Sequence, residues 1–193
     1  MLKLALFIDV FFFTVGYLVE SPRLRNEIRS VDTSLLGCAA ALMCYPPFNV
    51  VTGFLLGSNV SDFPQFDDPM VHASLNVVLL SLMLVYAWAT VALAWKSSNL
   101  THRGIIGHGP YRFVRHPAYV SKNIAWWIGS IPWFTEAFAK SWMGGVQAIA
   151  SMTGWSMIYM LRALTEEHHL RRVDGDYAAY ASSVRWRFIP GVV

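Results

Sequence analysis

Apolar residues gather into five runs, Leu2 to Val19, Thr33 to Gly57, Val71 to Trp95, Ile124 to Phe138 and Trp142 to Leu161. Polar intervals separate them at Glu20 to Asp32, Ser58 to Pro69 and Lys96 to Lys122, and a polar tail follows. Most runs are long enough to cross a hydrocarbon core of about 30 Å at about 1.5 Å per residue, so they predict membrane-spanning helices. The first run holds Asp9, expected to face a neighbouring helix because an ionisable group in lipid is costly. No small-residue cleavage site follows it, so it is expected to be a retained span and not a signal peptide. Pro46-Pro47 remove two backbone donors near the middle of the second run and must kink or break it. The third run has no proline. The fourth is short, about 22 Å of helix, and Pro132 interrupts it. It is expected to form one leg of a tight hairpin with the fifth run, turning at Glu136 to Ser141.

Composition agrees with this pattern: 55% of the 193 residues are hydrophobic and only 14% charged, as in an integral membrane protein. The net charge of +3 is carried by loops between the runs, which excludes a nucleic-acid surface as the first reading. Arg23, Arg25 and Arg29, the 96–122 interval, and Arg171, Arg172, Arg185 and Arg187 alternate with a gap that holds Asp62, Asp67 and Asp68 and no Lys or Arg. Five spans then satisfy the positive-inside rule with the amino terminus outside and the 96–122 interval and tail cytoplasmic. The fold expected is an all-α integral membrane protein, one domain over residues 1–193 with the chemistry in the half 96–193. Cys38 and Cys44 have no partners at metal-ligand spacing, so neither a disulfide framework nor a zinc site is predicted. Trp95, Trp126, Trp127, Trp133, Trp142 and Trp155 read as an interfacial belt, with lining of an apolar substrate approach as the alternative for Trp126 and Trp127.

Two polar constellations stand out. Gly109-Pro-Tyr-Arg-Phe-Val-Arg-His-Pro-Ala-Tyr119 packs two Arg, one His and two Tyr between prolines that turn the chain at Gly109 and His116. It reads either as a site for something polar or anionic or as a basic loop placed by topology alone. The second runs from Arg162 through Glu166-Glu167-His168-His169 to Gly175, Tyr177, Tyr180, Arg187 and Ile189-Pro190. On a helix Arg162 and Glu166 share a face and can pair, either as an interfacial salt bridge or as a guanidinium held ready for an anionic group.

Taken together and in order, Gly109-Pro110-Tyr111, Arg115-His116-Pro117, Tyr119, Arg162, Glu166-Glu167, Gly175, Tyr177, Tyr180, Arg187 and Ile189-Pro190 resemble the isoprenylcysteine carboxyl methyltransferases and their relatives. The resemblance covers about the last ninety residues. It implies a membrane enzyme that uses S-adenosylmethionine, with Tyr111, His116, Pro117, Tyr119, Glu167, Tyr180 and Arg187 around the cofactor and Arg162 and Glu166 as the catalytic pair. The acceptor implied is a hydrophobic or lipid-linked small molecule reached from the bilayer, and no metal is required. Val120-Ser121-Lys122-Asn123 departs from the family, where a glycine commonly follows the His-Pro-x-Tyr piece. Methyl transfer from a sulfonium is an in-line displacement that neutralises charge, so positioning and exclusion of water supply most of the acceleration. For a thiol or amine acceptor, Glu166 or His169 would be the base.

The tail is also similar to that of the membrane sterol reductases, which makes an NADPH-dependent reductase the alternative, with Arg103, Lys122, Arg171 and Arg172 available for the extra phosphate. Glu166-x-x-His169 is half of a di-iron motif without its second half. A scaffold or small transporter would show paired polar residues at mid-membrane or internal repeats, and only Asp9 comes near.

Overall fold

The longest proline-free apolar run forms the scaffold. In the computed structural model, which describes residues 2–45 and 47–191, it becomes helix α4 (Pro69–Leu93). Asp68 caps it, its carboxylate accepting from the backbone N–H groups of Met70 and Val71, and Pro69 sits in the first turn, where a missing N–H costs nothing. With the 3₁₀ turn that ends it, Pro69–Lys96 is, among the described residues, the one helix long and apolar enough to cross a membrane by itself, with a mean hydropathy of 2.3. Helix α1 (Leu2–Leu18) packs along α4 on one flank. Asp9 does face a neighbour: the Thr90 hydroxyl donates to its Oδ1 at 3.1 Å. A side chain at Gly16 would press within 2.9 Å of the Ser97 carbonyl oxygen, so this glycine lets α1 close on the end of α4.

The second run breaks as its prolines require. It gives α2 (Leu35–Leu42), capped by Ser34, and α3 (Phe48–Leu56), while Pro46 itself lies outside the described residues. The fourth run departs from expectation at both ends. Its helix starts earlier, as α5 (Pro117–Gly129), and stops at Ser130, and α6 (Ile131–Lys140) follows. Pro132 therefore opens a helix instead of interrupting one, since the first turn is where proline is tolerated. The Glu136–Lys140 pair, 2.6 Å on one helix face, keeps the last turn of α6 helical. The hairpin turn accordingly shrinks to Ser141, whose Oγ caps α7 (Trp142–Val173) by accepting from Gly144 N.

Helix α7 is 32 residues long and carries both the fifth apolar run and the segment Arg162 to His169. It packs against α2, α3, α5 and α6, and α8 (Asp176–Ser183) folds back at its end. Leu79, Met83 and Tyr86 of α4 form a core with Ala5 of α1 and Ala125 of α5. Among the described residues two short elements are strands. Strand β1 (Ser30–Val31) pairs antiparallel with β2 (Thr101–His102), Ser30 opposite His102, and ties the first polar interval to the third. Large apolar side chains face outward on every side, Leu35 on α2, Phe54 on α3, Met70 on α4 and Trp142 on α7 among them, a distribution suited to lipid and not to water.

Candidate active site

The Gly109–Tyr119 segment is shaped by its two prolines. Gly109 takes φ +60° at the head of a 3₁₀ turn, and a Cβ there would meet Ala92 Cβ at 3.1 Å. His116 is the residue before α5, and Pro117 occupies that helix's first turn. After the 3₁₀ turn the backbone bonds to the tail: Arg115 N donates to Trp186 O at 2.9 Å and His116 N to Arg187 O at 3.1 Å. The Tyr180 hydroxyl donates to Tyr111 O at 2.9 Å. Sequence segments about seventy residues apart are thereby closed into one frame.

Glu167 locks that frame. Its side chain is 2% exposed and accepts from Arg115 Nε at 2.8 Å, from His116 Nε2 at 3.1 Å and from Arg187 Nη2 at 3.0 Å. Burial alone would raise its pKa, but the hydrogen bonds from His116, Arg187 and Arg115 and the His116 charge more than reverse this, and the carboxyl falls well below the ordinary range. The same contact lifts Arg187. Arg115 also caps the end of α8, its Nη1 donating to the carbonyls of Ala181, Val184 and Arg185. Burial pushes Tyr180 up to about 12, so its phenol stays a donor at any ordinary pH.

A cavity opens above this frame and runs inward between α1, α4, α5 and α7. Of the residues singled out in the sequence, Tyr111, His116, Tyr119, Arg162, Glu166 and Tyr180 line it, whereas Pro117, Glu167 and Arg187 stand behind its wall. His116 and Tyr119 stack with centroids 5.4 Å apart and planes 4° from parallel. The buried Arg162 guanidinium lies 5.3 Å from the Tyr119 ring centroid and 5.5 Å from those of Tyr45 and Tyr159, and its Nη2 donates to Asn99 Oδ1 at 2.6 Å. It does not pair with Glu166, as the four-residue spacing allowed. The three tyrosines and Asn99 draw Arg162 inward, while Glu166 is exposed and accepts from the Tyr119 hydroxyl at 3.3 Å.

Sequence reasoning missed the holders of Arg162. Asn99 belongs to neither polar constellation, yet its Oδ1 takes bonds from Arg162 and from the Tyr45 hydroxyl, and its N–H donates to Tyr17 Oη at 2.7 Å. Tyr45 is presented by the proline break after α2. His102, whose Nε2 meets Asp174 Oδ2 at 2.6 Å with the imidazole buried and the carboxylate partly buried, fastens β2 to the end of α7, and Ser30 Oγ bonds His169 Nε2 at 3.0 Å beside it. Of the basic residues available to a nicotinamide cofactor's phosphate, Arg103 and Lys122 line the cavity and Arg171 and Arg172 do not. Arg103 donates to Asn26 O, Lys122 lies among aromatic rings at the inner end, and Arg171 sits over Tyr177.

The model of the Isoprenylcysteine carboxyl methyltransferase (ICMT) family matches residues 72–172, just over half of the chain. A comparison with curated proteins found no match.

Proposed function

From the premise that the chain belongs to the isoprenylcysteine carboxyl methyltransferase family, we propose that it is an integral membrane methyltransferase that moves a methyl group from S-adenosylmethionine to a hydrophobic or lipid-linked small acceptor. The observation that carries this reading is the convergence of Tyr111, His116, Tyr119, Arg162, Glu166 and Tyr180 on one cavity, with a buried guanidinium that has no carboxylate within salt-bridge distance among the described residues. The donor set fits the cofactor. Aromatic faces at Tyr111, Tyr180 and the His116–Tyr119 stack suit an adenosyl group, and the exposed Glu166 carboxylate suits a cationic centre.

S-adenosylmethionine supplies an electrophilic methyl on a sulfonium. The chain's own residues supply position. Arg162 orients the acceptor's oxygens, with Asn99 and the three tyrosines fixing the plane of its guanidinium. Glu166, steered by Tyr119, serves as counter-charge, or as base for a thiol or amine acceptor, with His169 the other candidate. Glu167 is a positioning residue: it holds Arg115, His116 and Arg187 so that the wall of the cavity keeps its shape.

In this reading five spans cross the bilayer, formed by α1, by α2 with α3, by α4, by α5 with α6, and by the apolar part of α7. The amino terminus is outside, and the working half, residues 96–193, opens its cavity to the cytoplasm. Calorimetry on detergent-purified protein tests the cofactor: S-adenosylmethionine or its demethylated product should bind, and His116→Ala or Tyr119→Ala should weaken that binding. Binding of NADPH alone would overturn the reading in favour of a reductase.

A further inference from the structure

The inner end of the cavity holds a cation that the proposed reaction does not use. Lys122 projects from α5 with its Nζ 5.0 Å from the ring centroid of Trp126, 5.5 Å from Tyr159 and 5.6 Å from Tyr86. It lines the cavity together with Asp9, Tyr86, Thr90, Tyr159 and Arg162. Three ring faces attract the ammonium without occupying any of its three N–H donors. Among the described residues no carboxylate lies within 4.0 Å of it; Asp9, the acid on the cavity wall whose charge acts on Lys122, is engaged by the Thr90 hydroxyl. Arg162 lies on the same tyrosine, its Cζ also 5.5 Å from the Tyr159 centroid, so the two cations are no more than 11 Å apart.

Lys122 and Arg162 are like charges on the same ring at the inner end of the cavity, Asp9 offsets this only from a distance, and a half-buried ammonium with no hydrogen-bond acceptor is costly. A plain hydrocarbon tail laid against Lys122 would worsen both. An oxyanion would relieve both, and the free donors of Lys122 are there to hold it.

We propose that the inner end of the cavity is an anion subsite in which Lys122 binds a second oxyanion of the acceptor, a few bonds from the group that Arg162 holds. Resting on the reading of this cavity as the acceptor site, it narrows the acceptor to amphiphiles with two anionic groups on one apolar chain.

Direct binding tests it without methyl transfer. The full chain, in a non-ionic detergent, is titrated calorimetrically with dodecanoate, with 2-decylsuccinate, which is the same chain bearing a second carboxylate, and with 2-phosphonododecanoate, which is the same chain bearing a phosphonate. Either doubly anionic probe should bind more tightly than dodecanoate by about tenfold, and the tighter of the two identifies the oxyanion. Lys122→Met should bring that ratio to within about twofold, while Lys122→Arg, which keeps the charge, should preserve it. A wild-type ratio near one overturns the subsite, and so does a Lys122→Met variant that keeps the preference. If Lys122→Met does not yield folded protein, the wild-type ratio still decides. Absence of methyl transfer with the ratio intact would count against the proposed function and leave the subsite standing.

Discussion

Replacing Glu167 by Ala removes the acceptor that Arg115, His116 and Arg187 share. Glu167 is 2% exposed and Arg115 8% exposed, so their interaction is little screened, while Arg187 at 26% is partly screened. Breaking a buried ion pair by deleting one partner costs about 3–5 kcal/mol, because the remaining charge is left uncompensated. At about 2–4 °C per kcal/mol for a chain of this size, Glu167→Ala should lower the unfolding temperature on the order of 10 °C. Glu167→Gln keeps an acceptor oxygen and loses the charge, so it should cost about 1.5–3 kcal/mol. The folded-state pKa of Glu167 lies below its unfolded value of about 4.3, so the stabilisation is fully present above that pH and is lost as pH falls through the folded value. The gap between wild type and Glu167→Gln, read by differential scanning fluorimetry in micelles, should be flat from about pH 8 to 5 and close only under about pH 4. A Glu167→Ala shift under about 2 °C, or a gap that is already closing near pH 6, would refute the locking role.

Arg162→Ala should lower turnover on the order of a hundredfold, about 2.7 kcal/mol in the barrier, with much less effect on cofactor affinity; turnover within about threefold of wild type would remove its catalytic role. Arg162→Lys should rescue little, because a point charge cannot reproduce the planar grip framed by Asn99 and the tyrosines, and Asn99→Ala should show a smaller loss of the same kind. Asp174→Ala should free β2 from the end of α7 at a cost of about 1.5–3 kcal/mol, seen as faster amide exchange over residues 100–105 than elsewhere. A cysteine placed at position 105 should be labelled only from the cytoplasmic side of intact cells, and labelling from outside would undo the proposed topology.

Helices and breaks were legible where backbone chemistry speaks alone. The proline-free run became α4, the second run broke between α2 and α3, and Asp9 found Thr90 because an isolated acid among apolar residues demands a donor. The bounds of α5 and α6 were not, since hydropathy cannot distinguish a proline that interrupts a helix from one that begins the next. At the site, the ordered pattern pointed to residues that do gather, but spacing along α7 could not say which way Arg162 turns. That choice is made by Tyr159 on the same helix and by Tyr45, Asn99 and Tyr119, which arrive from three other places in the chain. Glu167 and Arg187 resembled cofactor contacts by position, whereas the structure has them bonded to each other behind the cavity wall. Two adjacent glutamates on a helix point to different faces, one inward to the ion cluster and one outward to the cavity mouth.

The most direct test is transfer itself. Purified protein in lipid vesicles, given S-adenosylmethionine labelled in its methyl group together with an extracted pool of amphiphilic lipids and small acids, should move label into the organic phase. The transfer should depend on Arg162 and His116 and be inhibited by the demethylated cofactor. No label moved by the wild-type protein, with NADPH consumed by it instead under the same conditions, would contradict the account.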